Sequence, residues 1–248
     1  MLAVVILAAG KGKRMKNPEK AKVMFELNGK PMIQYVVELA LKIHSDKIIV
    51  IVGHQKKSVI DFVTEKFAQY RDKIDFAHQD QQLGTGHAVM QTENQLRDFK
   101  GMIMILSGDV PLLSEKTLKK FLDYHVSGNF DATLISAIVE KPDGYGRIIR
   151  NENGDFIDIV EHKDASEEQK KCNEINSGIY IIKSEILFDA LKTLKADNAQ
   201  QEYYLTDVFT YFKKNGLKIG AIPADSSIEI EGVNTIEQLE NLAKYTIK

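Results

Sequence analysis

Apolar positions fall into two rhythms along the first half of the chain. Residues 2–7 (LAVVIL), 47–52 (KIIVIV) and 102–106 (MIMIL) are near-continuous apolar runs without alternation, the pattern of strands covered on both faces in a parallel sheet. Between them, residues 32–43 carry apolar positions at helical spacing behind Pro31, whose fixed φ suits a helix start, and Val59, Ile60, Val63 and Phe67 repeat that spacing. The cycle continues with a short strand at 74–77, a helix over 86–96 and another helix opening at Ser114. Apolar strands alternating with amphipathic helices through short connections predict right-handed crossovers in a doubly wound sheet. After about residue 130 the rhythm changes. A long strand is predicted at 131–139, and 146–150 and 155–160 flank NENG at 151–154 as the arms of a hairpin. A strand at 175–182, a helix at 205–212, a strand at 217–222 and a helix at 236–245 follow. The expected fold is α/β, with a mostly parallel central sheet and a mixed extension in the second half. No Ser/Gly linker separates the halves, so one domain over 1–248 is expected.

Composition narrows the chemistry. The 33 Lys+Arg and 35 Asp+Glu give a formal charge of -2, which argues against nucleic acid or a membrane surface as a partner. Cys172 is the single cysteine, so neither a disulfide framework nor a multi-thiolate centre can form within the chain. An apolar run followed by cations reverses the order of a secretory signal, and a cytoplasmic location is expected. Charge is nevertheless uneven: residues 1–31 hold seven Lys/Arg, among them Lys11, Lys13, Arg14, Lys20 and Lys22, against Glu19 and Glu26. These cations surround Gly10 and Gly12 directly after the first strand. Glycines there allow a tight turn whose N–H groups cradle phosphate oxygens, so the local excess points to a polyphosphate. The spacing matches neither the dinucleotide fingerprint nor the P-loop. No G-x-S-x-G elbow or H-E-x-x-H helix occurs to support a hydrolase or zinc reading.

The segment LAAGKGKRM at 7–15, followed by Lys22-Val23 and GKPM at 29–32, resembles the signature of sugar-1-phosphate nucleotidyltransferases. Later motifs narrow the likeness: QLGTGHA at 82–88, GDVPL at 108–112, GYGRI at 144–148, VEHKDA at 160–165, EINSG at 174–178, EYYLTD at 202–207 and EGVN at 231–234. Together they resemble the uridylyltransferase domain of bacterial N-acetylglucosamine-1-phosphate uridylyltransferases over nearly the whole chain. The resemblance implies a Rossmann-like nucleotide-diphospho-sugar transferase fold, with 1–130 mainly the nucleotide-binding half and 131–248 mainly the sugar-binding half. The implied reaction is Mg²⁺-dependent transfer of UMP from UTP to N-acetyl-α-D-glucosamine 1-phosphate, giving UDP-N-acetylglucosamine and pyrophosphate for cell-wall precursor synthesis. Another sugar-1-phosphate nucleotidylyltransferase activity is the nearest alternative, and a noncatalytic nucleotide-sugar sensor is the alternative of a different class. Members of the family often carry a C-terminal acetyltransferase β-helix. No regular hexapeptide run appears after residue 235, so that module is not expected on this chain, and a monomer or weak homo-oligomer is.

Residue by residue, the resemblance places Leu7, Ala8, Ala9 and Gly10 against the nucleotide. It assigns Arg14 and Lys22 to the phosphates as catalytic cations, with Lys20 a neighbour able to share the role of Lys22. Asp109, at the end of the third apolar strand, is the metal ligand and a catalytic residue; Asn234 completes the Mg²⁺ shell with its amide oxygen. Gln79, Gln82, Gly84 and Thr85 form the uracil-side group; a glutamine amide can pair with a uracil edge, and Gln79 is favoured over Gln82 because it lies five residues before Gly84, as in the resembled family. Gly146, Glu161, Asn176 and, at the wall, Thr206 are assigned to the acceptor sugar. His87 reads as a packing or capping histidine, and Asp207 fits a helix cap.

Overall fold

A computed structural model describes residues 1–245. The chain runs β1 (Leu2–Ala8), a short ribbon of β2 (Glu26–Leu27) and β3 (Lys30–Pro31), α1 (Met32–Lys42), β4 (Lys47–Val52), α2 (Lys56–Lys66) and β5 (Ile74–His78). There follow α3 (Thr85–Met90), α4 (Glu93–Leu96), β6 (Met102–Ser107), α5 (Glu115–Ser127) and β7 (Ala132–Ile138). The remainder is β8 (Arg147–Arg150), β9 (Phe156–Val160), α6 (Glu167–Lys170), β10 (Glu174–Lys183), α7 (Ser184–Leu191), α8 (Val208–Lys214), β11 (Ile219–Pro223) and α9 (Ile236–Ala243). The main path of the sheet is β11-β7-β10-β6-β1-β4-β5. β10 runs antiparallel to both its neighbours, and every other pairing on that path is parallel. β8 joins the far part of β10 and pairs with β9, forming the mixed extension.

The unbroken apolar runs are explained by the two faces they feed. Successive strand residues point to opposite sides: Val4, Ile6, Ile48, Val50, Met104 and Leu106 pack with Ile33, Val37 and Val59 on one face. Ala3, Val5, Ile49, Ile51, Ile103 and Ile105 pack with Val89, Leu187 and Phe209 on the other. A third, smaller cluster of Met15, Leu27, Met32, Val233, Leu239 and Leu242 clamps α9 onto the β2–β3 ribbon. That clamp brings the loop before α9 beside the glycine-rich loop. Among the described residues no helix is long and apolar enough to cross a membrane.

Apart from the short β2–β3 ribbon and the one-turn α6, which the sequence pattern does not predict, three further differences stand out. The helix expected over 86–96 breaks into α3 and α4 at Thr92, which is buried and turns its hydroxyl back to the Val89 carbonyl at 2.7 Å. α7 was not expected, because its apolar residues continue the run of β10 with only Lys183, Ser184 and Glu185 as punctuation. Residues 205–207 form a 3-10 turn before α8, and Asp207 makes no side-chain capping bond there.

His125 on α5 is 3% exposed, with Nδ1 3.0 Å from Thr133 Oγ1. Burial, helped by the Lys183 charge and opposed by Asp131, pushes its imidazole down from 6.5 to about 4. The unfolded chain therefore takes up this proton first, and the native state loses stability as pH falls from about 6.5 to 4. The melting temperature should drop across that window, and His125→Gln should flatten the drop. Equal acid limbs in the two proteins would acquit His125.

Candidate active site

The order of strands reverses at β1, which pairs with β4 on one side and β6 on the other. In an open α/β sheet, ligands enter at the carboxyl ends of strands beside such a switch. Two loops leave there: residues 9–12 after β1 and Gly108-Asp109 after β6. Gly12 has a left-handed backbone (φ 59), and a Cβ there would lie 2.8 Å from the Lys22 Cβ, so glycine permits this close approach.

Four polar side chains converge at this edge. The Lys22 ammonium donates to Asp109 Oδ2 and, at 2.8 Å, to Asn234 Oδ1; Arg14 Nη2 donates to the same Asn234 oxygen at 2.8 Å. Asn234 is brought in by backbone and cap: Val233 N donates to the Asp109 carbonyl at 2.9 Å, and Asn234 N donates to Gln238 Oε1 at 2.7 Å in the first turn of α9. Lys20 instead lies over the Phe25 ring, 5.2 Å from its centroid. A carboxylate oxygen and an amide oxygen thus flank one cation, here the Lys22 ammonium. This donor set of hard oxygens fits Mg²⁺, which takes few protein ligands and fills its shell with water and phosphate oxygens. Among the described residues no cluster of three or more His, Cys, Asp or Glu suits a metal.

Gln79 and Gln82 lie on the other side of the post-β1 loop. Gln79 is buried, and its Nε2 donates to the Gly84 carbonyl at 2.9 Å and approaches His87 Nδ1 at 3.2 Å. Gln82 Nε2 donates to the Gln79 carbonyl at 3.0 Å. Gly53 closes this corner: a Cβ there would lie 2.8 Å from each of Ala9 Cβ, Gln79 O and Gln82 Nε2. The backbone that approaches Gly84 (φ 111) most closely is that of Tyr203, whose carbonyl would lie 2.6 Å from an added Cβ. The Thr85 hydroxyl accepts from Leu205 N at 3.1 Å. Gly84 and Thr85 therefore stitch their loop to residues 203–205.

Across the edge opens a cleft of about 340 Å³, whose lining includes Leu7, Thr85, Gly146, Glu161, Asn176, Thr206 and Asn234. Gly146 directly precedes β8, Glu161 directly follows β9, and Asn176 lies on β10. Asn176 N donates to the Gly146 carbonyl at 2.9 Å, and a Cβ on Gly146 would sit 3.5 Å from both Glu161 carboxylate oxygens. Burial pushes the Glu161 carboxyl up; the Thr206 hydroxyl, donating at 3.2 Å, opposes this, and the Asp207 and Asp164 charges add to it. Asp207 itself is pushed up to about 6 by burial and by Asp158, Asp164 and Asp197. Asn176 sits where the β10 register shifts, its Nδ2 donating to Tyr180 Oη at 2.7 Å and its Oδ1 accepting from Gly178 N at 3.2 Å. Tyr145 and Tyr180 also line the cleft. The sequence assigns neither of them a role; Tyr145 carries a signal in lying between two motif glycines, whereas Tyr180 looks like ordinary strand. Gln79, Gln82 and Gly84 are not among the lining residues.

A family model described as nucleotidyl transferase matches residues 3–227. Bifunctional protein GlmU of Caldanaerobacter subterraneus subsp. tengcongensis is 48% identical over 243 residues, covering 98% of this chain and 51% of that protein. Bifunctional protein GlmU of Acetivibrio thermocellus is 44% identical over 238 residues, covering 96% and 50%. The chain thus spans about half the length of the curated relatives it matches. Among solved structures, a putative glucose-1-phosphate thymidylyltransferase from Bacillus anthracis superposes with TM-score 0.80 at 20% identity, over 99% of this chain and 95% of that one. A UDP-glucose pyrophosphorylase complexed with UDP-glucose gives 0.79 at 21%, over 98% and 97%. These two likenesses carry the fold.

Proposed function

Because this chain belongs to the nucleotidyl transferase family, we propose that it transfers UMP from UTP to N-acetyl-α-D-glucosamine 1-phosphate, releasing pyrophosphate and UDP-N-acetylglucosamine. The observation that carries the reading is the convergence of Arg14, Lys22 and Asp109 on and around Asn234, which itself lines the cleft together with Gly146, Glu161 and Asn176. Similarity to the GlmU proteins supports the choice of substrates. Residues 1–130 supply the nucleotide side and 131–248 the acceptor side, with Asn234 crossing back to the phosphates.

In this reading a phosphate oxygen of the sugar phosphate attacks the α-phosphorus, a new P–O bond forms, and the bond to pyrophosphate breaks in line. That nucleophile is already anionic near neutral pH, so no protein base is needed and His87 takes no part. Asp109 and Asn234 would hold Mg²⁺, which supplies charge neutralisation at the phosphate oxygens. Arg14 offers a donor fork and Lys22 a mobile point charge as negative charge redistributes. Glu161 and Asn176 orient sugar hydroxyl and acetamido groups. Pyrophosphate release should be measured over a panel of nucleoside triphosphates and sugar 1-phosphates, with the product identified by mass. UTP with N-acetylglucosamine 1-phosphate should be the best pair and should require Mg²⁺. Preference for glucose 1-phosphate would reject the sugar, and binding without pyrophosphate release would reject catalysis.

Gln79 is the proposed reader of the base, but its amide nitrogen also braces the Gly84 loop. Gln79→Ala should therefore cut kcat/KM for UTP by roughly 10-fold or more while affecting other triphosphates less. Identical relative kcat/KM values before and after substitution would leave Gln79 as a brace alone, and a selectivity loss in Gln82→Ala would move base reading to that residue.

A further inference from the structure

Arg147 on β8 is completely buried (0% exposed) and ranks among the largest fully buried side chains. Among the described residues no carboxylate pairs with it. Its Nη1 donates to the Tyr145 carbonyl, its Nη2 faces His162 Nδ1 at 3.3 Å, and its Nε has no partner. A buried guanidinium without an anion is costly, because its lost hydration is repaid by neutral acceptors only. Hydrophobic burial therefore does not account for an arginine here, and its two contacts are the informative feature.

Those contacts fall at a particular place in the β8–β9 ladder. Arg147 pairs with Val160, Ile148 with Ile159 and Ile149 with Asp158. Continued outward, the same register sets Gly146 opposite Glu161 and Tyr145 opposite His162. The guanidinium thus joins the two residues one step beyond the Gly146–Glu161 pair, where the ribbon opens into the cleft. On its other side Gly146 is tied to β10 through its carbonyl and Asn176 N. For Nη2 to donate, His162 must be neutral with its proton on Nε2.

We infer that Arg147 is a positioning residue: it clips the open end of the β8–β9 ribbon and so sets the spacing between the Gly146 backbone and the Glu161 carboxylate that receive the acceptor sugar. The clip's kinetic role rests on the acceptor-side reading above; its structural role does not. A looser clip lets the two walls drift, and sub-ångström misplacement of a bound reactant is expensive in rate.

Two measurements test it, one with substrates and one without. In initial-rate kinetics with both substrates varied, Arg147→Met should raise the KM for the sugar phosphate about 10-fold or more and change that for the nucleotide less than about 2-fold. Arg147→Lys, which keeps one donor, should recover part of the loss, and His162→Phe, which removes one end of the clip, should shift the same KM by a smaller factor. Without substrate, amide hydrogen exchange at residues 144–147 and 160–163 should speed up about 10-fold or more in Arg147→Met, with β10 unchanged. Unaltered exchange there overturns the clip whatever the substrate is. Faster exchange with an unchanged acceptor KM, or with both KM values rising together, overturns its role toward the sugar. If Arg147→Met fails to fold, Arg147→Lys and His162→Phe decide by the same two readouts. Wild-type protein that releases no pyrophosphate with any sugar phosphate sinks the functional reading and the clip's kinetic role, and exchange then decides the structural clip.

Discussion

Asp109→Asn should lower Mg²⁺-dependent turnover by roughly 10²–10³-fold with little change in melting temperature. The substitution preserves shape and leaves the backbone bond from Val233 N to the residue 109 carbonyl in place, so the loop before α9 should keep its seat. What changes is charge. The Lys22 ammonium loses its anionic partner and is left with neutral amide oxygens as acceptors. A divalent cation at the same place would meet two neutral amide oxygens in place of one carboxylate and one amide, a much weaker hard-oxygen site. Turnover measured against Mg²⁺ concentration should therefore show both a higher half-saturating concentration and a lower plateau. Turnover within about threefold of wild type at limiting Mg²⁺ would remove Asp109 from the metal-binding role. Recovery of the full plateau at high Mg²⁺ would confine it to metal affinity.

The parts of this fold that were legible in the sequence are those in which one short segment carries its whole cause. β1, β4 and β6 announce themselves because each is buried on both faces by its own unbroken apolar residues, and α5 because Ser114 caps it through its own hydroxyl. α7 was hidden for the opposite reason: the apolar run of β10 flows into it, and only packing against the sheet face shared with Phe209 separates helix from strand. The site divides in the same way. The basic glycine loop stood out by local charge, but the partnership of Asp109 with Asn234 came from resemblance, since nothing in their distant segments encodes it. In the structure a 2.9 Å backbone bond and the Met15–Val233–Leu239 cluster build that partnership. Gly53 and Arg147 escaped notice because the atoms that explain them, Gln82 Nε2 for one and the Tyr145 carbonyl for the other, meet them only after folding. Gly84, which the resemblance places on the uracil side, has the chain's own Tyr203 as its nearest crowding neighbour.

The same geometry separates the two lysines that the sequence left as rivals. Lys22→Met should reduce kcat by roughly 10²–10³-fold, and Lys20→Met by less than about 10-fold, because only a cation placed at the reacting phosphates gains strength as charge redistributes there. Lys22 is held between Asp109 and Asn234, at the proposed phosphate site, with its side chain 13% exposed, while Lys20 rests on Phe25. Lys22→Arg should not rescue fully: a planar guanidinium is bulkier than the ammonium, and Arg14 already donates to the same Asn234 oxygen. The ligand-free protein gives an independent check. Removing Lys22 leaves the Asp109 carboxylate without its ion-pair partner, so Lys22→Met should melt lower than wild type, and added Mg²⁺ should restore part of the difference by pairing with the exposed oxygens. Equal kcat losses in the two variants would mean that Lys20 and Lys22 serve only as a diffuse basic patch. A larger loss in Lys20→Met would show that the loop rearranges when substrate binds and that the cation beside Asp109 in this structure is not the one that acts on the phosphates.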